Sequence, residues 1–173
     1  VLTTGVHNLE FDFGGEKAFA NNAAGDYEVG AVSDVNGWTN VDLVNNYVSP
    51  VVVVTGQQGA DISMDVEASR PIIRNVVGGA SGSFEVMVMN DEGTTVTETV
   101  GYIVVEEGHW TIDGVEVEAG TYSVSDATTQ AITYDTAFPG NTVVIDTLQE
   151  DTGQPVTSRY TENTMLSMGY SVM

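Results

Sequence analysis

The chain has no cysteine. That excludes disulfide staples and thiol chemistry, so stability has to come from packing, ions or neighbouring subunits. Basic residues are nearly as scarce. Lys17, Arg70, Arg74 and Arg159 stand against 25 acids, a formal charge of −21. Such a balance argues against nucleic acid as a partner, since that interaction needs basic patches and counter-ion release. It argues equally against an anionic membrane face. No apolar run is long enough to span a bilayer, and the longest, Val51 to Val54, is only a strand core. Only His7 and His109 supply imidazole, and neither is spaced with partners for a metal or catalytic cluster. A Gly-x-Ser-x-Gly elbow is also missing, which leaves no serine nucleophile to nominate.

What is present is valine, acid and turn. Hydrophobic residues make up 42% of 173 positions, enough for a real core, and the length allows one large or two small domains. The acids are interleaved with apolar positions rather than blocked as in a disordered tail. Leu9-Glu10-Phe11-Asp12-Phe13 and Val115-Glu116-Val117-Glu118 alternate with period two, and Phe84 to Met89 and Thr97 to Ile103 do so more weakly. Such alternation predicts strands with one buried and one wet face. Gly14-Gly15, Asn36-Gly37, Gly78-Gly79, Asp113-Gly114 and Pro139-Gly140 punctuate them as turns. Asp113-Gly114 between two apolar runs is a hairpin signal. No window carries a helical period with caps at both ends, so the fold class is all-β. Ser123 to Gln130 reads as a linker or as an edge strand of low propensity.

A pattern occurs twice. The first copy offers Val41-x-Leu43, Tyr47, Val51 to Val54, Gln58, Arg74 and Ser83-Phe84-x-Val86. The second offers Ile132 onward, Phe138, Thr142-Val143-Val144-Ile145, Gln149, Arg159 and Gly169-Tyr170-Ser171-Val172. Tyr47 to Gln58 and Phe138 to Gln149 both span 11 residues, while arginine to aromatic spans 10 (84 − 74) and 11 (170 − 159). Gly5 and Gly108, each followed closely by a histidine, are placed as equivalents 103 residues apart (108 − 5). A fixed-period repeat decides architecture, so the expectation is two β-sandwich modules in tandem, 1–108 and 109–173, of jelly-roll or Ig-like type. The second lacks a counterpart of Glu98 to Val105 and is expected to be incomplete.

Pro50-Val51-Val52-Val53-Val54, Arg74-Asn75-Val76, Ser83-Phe84-Glu85-Val86 and Glu98-Thr-Val-Gly-Tyr-Ile-Val-Val-Glu-Glu-Gly108 follow one another in order. In that order they resemble the H-type-lectin-like repeat of large secreted and surface-anchored microbial proteins, over residues 38–108. The resemblance implies an extracellular β-sandwich that binds or assembles, and it does not imply catalysis. The charge suggests a strongly saline habitat, where a Debye length of about 3 Å at 1 M salt screens self-repulsion. A calcium-rich milieu is the competing reading, because carboxylate oxygens also bind that hard cation.

The candidate residues follow. Asp61, Ser63, Asp65 and Glu67 place oxygens at alternate positions, and Asp91 sits in a polar turn. These are possible calcium ligands, or equally a solvated strand face, and neither segment fits an EF-hand. Trp38 and Trp110 are a sugar platform or the rim of the core. The histidines are expected to be structural, for example through a satisfied hydrogen bond at a strand end. Almost every carboxylate falls on a solvent face, so no desolvated acid of the kind a glycosidase requires is marked. No catalytic residue is nominated, and a non-enzymatic role is expected. Val52, Val54, Phe84, Val86, Tyr102, Val104, Val143 and Ile145 are expected in the core, with Arg74 and Arg159 paired to carboxylates or strand-end carbonyls through their forked donors.

Two function classes remain. One is a subunit of a surface filament, appendage or virion component that polymerises head to tail with identical neighbours. In this case Leu9, Phe11 and Phe13 form the strand shared with the neighbour. The other is a lectin-like adhesion module. Val1 is not an initiator residue, so a removed leader or a longer parent array is expected.

Overall fold

The computed structural model describes residues 18–20, 27–58, 69–90, 93–95, 97–112, 114–123, 130–135, 137–138, 140, 142–149, 158–163 and 167–172. Every regular element among them is a strand, all sheets are antiparallel, and no helix occurs among the described residues. The strands are β1 (Ala18–Ala20), β2 (Tyr27–Val35), β3 (Thr39–Asp42), β4 (Pro50–Gln58), β5 (Ser69–Val77), β6 (Ser83–Asn90), β7 (Glu98–Glu106), β8 (Gly108–Ile112), β9 (Val115–Ala119), β10 (Gln130–Thr133), β11 (Ser158–Asn163) and β12 (Ser167–Val172).

One sheet has the order β1-β2-β7-β4 and a second the order β3-β6-β5. They share one core. The first contributes Val52, Val54, Val100, Tyr102 and Val104, the second Val41, Ile73, Phe84, Val86 and Val88. Register explains the choice: Val52 faces Val104 and Val54 faces Tyr102 across β4–β7, while Val41 faces Phe84 across β3–β6. Period-two side chains therefore line one face of each sheet. Phe84 and Tyr102 meet edge to face between the layers, with centroids 5.2 Å apart.

The turns are where the glycines stand. Gly37 (φ +82°) links β2 to β3, Gly79 (φ +96°) helps link β5 to β6, and Gly114 (φ +80°) closes the β8–β9 hairpin. β3 stops at Asp42, where the chain turns, and Val44 beyond it is exposed.

The weak alternation of Phe84 to Met89 does not give one wet face. Met87 and Met89 are buried as well, forming with Ile72 a second cluster on the outer side of β5 and β6, against which Trp38 packs. Val115 is exposed although its alternation suggested burial, since β9 pairs only with β8 among the described residues.

One three-stranded order recurs in the second half of the chain among the described residues. Its sheet runs β10-β12-β11, as β3-β6-β5 does. Arg74 lies opposite Glu85, the residue after Phe84, and Arg159 lies opposite Ser171, the residue after Tyr170. The hairpins match too: Ala18 pairs Val29 and Gly108 pairs Ala119, so Gly108 corresponds in register to Ala18, 90 residues earlier (108 − 18). That replaces the spacing of 103 inferred from Gly5, which itself lies outside the described residues.

Segment 142–149 breaks the parallel. Its counterpart β4 is paired to β7, but 142–149 forms no sheet strand. Val143 and Ile145, expected in the core, are 83% and 59% exposed, whereas Val52 and Val54, 91 residues earlier (143 − 52), are 5% and 7% exposed. Val52 and Val54 sit on a paired strand whose inner face is covered by Val41, Ile73, Phe84 and Val86 of the opposing sheet, whereas 142–149 belongs to no sheet among the described residues. The segment's end instead touches the first unit. Ile73 N–H donates to the Leu148 carbonyl at 3.2 Å, Ile73 and Gln149 form a parallel bridge, and Val54 N–H donates to Thr147 Oγ1 at 2.7 Å.

Candidate functional site

The most constrained polar chemistry surrounds the crossing from β3 to β4. Glu28 of β2 lies opposite Val104 of β7, so its side chain enters the core face, and it is fully buried. Buried carboxylates persist only when hydrogen-bonded. Oε2 of Glu28 accepts from the backbone N–H of Val44 at 2.8 Å and of Asn45 at 3.4 Å, and Oε1 accepts from the Tyr102 hydroxyl at 3.2 Å. Burial, followed by the Glu28 charge, pushes the Tyr102 hydroxyl well above its ordinary 10.0. Asn45 Nδ2 reaches the Tyr47 hydroxyl at 3.2 Å and the Tyr27 carbonyl at 3.3 Å.

A second carboxylate holds the far side of the same crossing. Glu106 accepts from Val48 N–H at 2.8 Å and from Ser49 N–H, while its carbonyl takes the Trp110 indole N–H at 2.8 Å. Two glutamates therefore satisfy four amide donors of one loop that leaves the second sheet and enters the first. Sequence reasoning passed over Glu28 as one more solvent-face acid. The available signal was its place in Tyr27-Glu28-Val29-Gly30-Ala31-Val32, an acid inside an otherwise apolar strand.

The same device recurs in the second half. Both oxygens of Glu118 lie 3.0 Å from Asp135 N–H. Glu118 is 90 residues after Glu28 (118 − 28), and Asp135 is 91 after Val44 (135 − 44). The Tyr122 hydroxyl is pushed above its ordinary 10.0, by burial first and then by the charge of Glu118.

On the outer face of the β3-β6-β5 sheet, Arg74 Nε donates to Glu85 Oε2 at 2.6 Å and its guanidinium lies 4.0 Å from the Trp38 ring centroid. Asn75, left-handed at φ 51° in a bulge of β5, sends Nδ2 to the same Glu85 oxygen at 2.6 Å. Those two hydrogen bonds, Arg74 first, hold the Glu85 carboxyl below its ordinary 4.5. The expected carboxylate partner of Arg74 is thus present. The Arg159 side chain lies outside the described residues.

The other nominated residues are not brought together. Trp38 carries Arg74 over its ring, and Trp110 opens the β8–β9 hairpin with its N–H bound to Glu106. Leu9, Phe11, Phe13, Asp61, Asp65, Glu67 and Asp91 lie outside the described residues. Asn90, beside Asp91, ties its own turn by accepting Thr94 N–H on Oδ1 at 2.8 Å. Among the described residues no three His, Asp or Glu side chains are grouped to hold a metal ion. His109 packs on Phe138 at 6.0 Å, and its buried Nε2 has no hydrogen-bond partner.

An open cleft of about 260 Å³ lies where the segment from 142 meets the first unit, with Ser49, Gly78, Glu107, Thr121 and Gln149 among its walls. Glu107 is its one ionisable side chain. Among the described residues no helix is long and apolar enough to cross a membrane. Comparison with protein families, with characterised proteins and with solved structures finds no match to this chain.

Proposed function

We propose that the protein is a non-enzymatic extracellular structural subunit. In this reading it is built from two β-sandwich modules and polymerises head to tail by sharing strands with identical neighbours in a surface filament, appendage or virion component. The observation that carries this reading is the docking of 147–149 on the first unit. There an extended segment hydrogen-bonds to an edge residue of β5 and to an edge residue of β4 without becoming part of either sheet's ladder. Sheet edges present unpaired backbone groups that readily accept another extended chain. This molecule already uses that chemistry between its halves.

The polar chemistry supports the same reading. Glu28 and Glu106, the best-positioned acids, spend their oxygens on amide donors and hold a loop in place. A glycan-binding role, the second class, receives less support. Trp38 has a guanidinium over its ring, and Trp110 spends its indole N–H on the chain's own carbonyl. The charge of −21 fits a saline exterior, where screening lets like-charged copies approach one another.

Sedimentation and negative-stain microscopy of the chain in molar potassium chloride, with and without residues 1–13, test the proposal. Ladders or filaments that vanish on truncation are expected. A well-folded monodisperse monomer of the full chain under those conditions rejects the assembly reading, and a saturable, sugar-specific signal on a glycan array would then favour the lectin alternative.

A further inference from the structure

Resting on that reading, we infer that the bonds joining residues 147–149 to the first unit are also made between copies: Thr147, Leu148 and Gln149 of one chain dock on the β4 and β5 edges of the next.

Among the described residues the two halves of the chain share no sheet. Strands β1 to β7 form two sheets, and β8 to β12 form two others. The halves meet instead through main-chain chemistry at 147–149. Ile73 N–H donates to the Leu148 carbonyl, Val54 N–H donates to Thr147 Oγ1, and Ile73 bridges Gln149 in parallel. Val143 and Ile145, just upstream, are exposed, so releasing the segment costs little of their burial.

The covalent link between the halves has the form of a hinge. β7 ends at Glu106 and β8 begins at Gly108, which leaves Glu107 alone between them. Gly108 turns the chain at φ +130°, a region that glycine enters without steric cost. Rotation there carries a second half away from its own first unit and onto a neighbour's, where the same three contacts re-form. Exchange of this kind is a low-cost route to oligomers, and short hinges invite it.

The occupant is identified by the docking itself. β4 and β5 are end strands of their sheets among the described residues, and such edges receive extended chain. The sequence seen to fit them is Thr147-Leu148-Gln149, and every copy carries both the segment and the edges. Segment and edges are different surfaces, so the exchanged contact is head to tail and repeats from copy to copy unless the rotation closes a ring. Each copy carries a charge of −21, so the exchange belongs to high salt, where screening lets copies approach.

Val48, 87% exposed, and Gln149, also exposed, line the same cleft, so a cysteine at each probes the contact without disturbing the core. The chain has no cysteine of its own to interfere. Full-length Val48→Cys and Gln149→Cys chains are mixed in dilute buffer, brought to molar potassium chloride and treated with a short bismaleimide. A covalent heterodimer is expected in the assembled fraction, with only background linkage when either chain is assembled alone. A Val48→Cys/Gln149→Cys chain, kept dilute, should close on itself, which shows that the two positions are within reach. Failure of that closure contradicts the docking and the inference with it. Assembly in which the double variant links only within its own chain, while the mixed single variants stay unlinked, overturns the exchange and leaves the polymer reading standing. A monomer in molar salt overturns both.

Discussion

Tyr102 and Gly30 show how narrowly individual side chains are set. Gly30 lies opposite Tyr102 across β2–β7, and a Cβ added there would fall 2.5 Å from the tyrosine ring. Gly30→Ala therefore displaces a fully buried ring, and overpacking of this kind costs about 1–3 kcal/mol. Chemical denaturation of the variant should show that loss with no change in the cooperativity of unfolding. Tyr102→Phe keeps the ring but removes one hydrogen-bond donor from the buried Glu28 carboxylate. A loss of about 1 kcal/mol is expected. The hydroxyl's pKa is raised in the folded state, so its contribution is complete below the unfolded value of 10.0 and is lost as pH rises beyond it. An alkaline absorbance titration should show Tyr102 among the tyrosines that resist ionisation, and the Tyr102→Phe variant should lose one equivalent of that resistant absorbance.

At the scale of elements, the informative piece is the end of segment 142–149, which is held by the edges of two sheets rather than by a strand partner of its own. Thr147→Val removes the acceptor of the Val54 amide while leaving the Ile73–Leu148 bond in place. Amide exchange should accelerate at Val54 and much less at Ile73. Equal acceleration at both would mean that the segment detaches as a unit. The repeated strand order was legible in the sequence through Arg74 and Arg159 and through Tyr47 and Phe138, whose spacings recur. The role of 142–149 was not. Val143 and Ile145 read as core because period-two apolar residues report only which side chains share a face. Whether a second layer covers that face is a matter of partners elsewhere in the chain or outside it.

For the molecule as a whole, the surplus of 21 negative charges is the dominant long-range force. Self-repulsion opposes compactness in dilute buffer, and screening relaxes it. Thermal melts should move to higher temperature from dilute buffer to molar potassium chloride. An unchanged midpoint would show that local pairs such as Arg74–Glu85 already offset the repulsion. A calcium titration run alongside separates screening from specific binding, because only binding saturates at low cation concentration.

The sequence by itself determined the all-β class, most turn positions, the recurring strand order and the buried set Val52, Val54, Phe84, Val86, Tyr102 and Val104. All of these follow from local rules: side-chain alternation, glycine at positive φ, and the spacing between repeated residues. Only the tertiary structure decided that Met87 and Met89 are covered, that Glu28 is a buried clamp, that Gly108 corresponds to Ala18, and that Val143 and Ile145 face water. The reason is common to the four. Burial of a strand's face, satisfaction of a buried charge and the register of a hairpin all depend on which distant segment lies opposite, and period-two patterning carries no information about that.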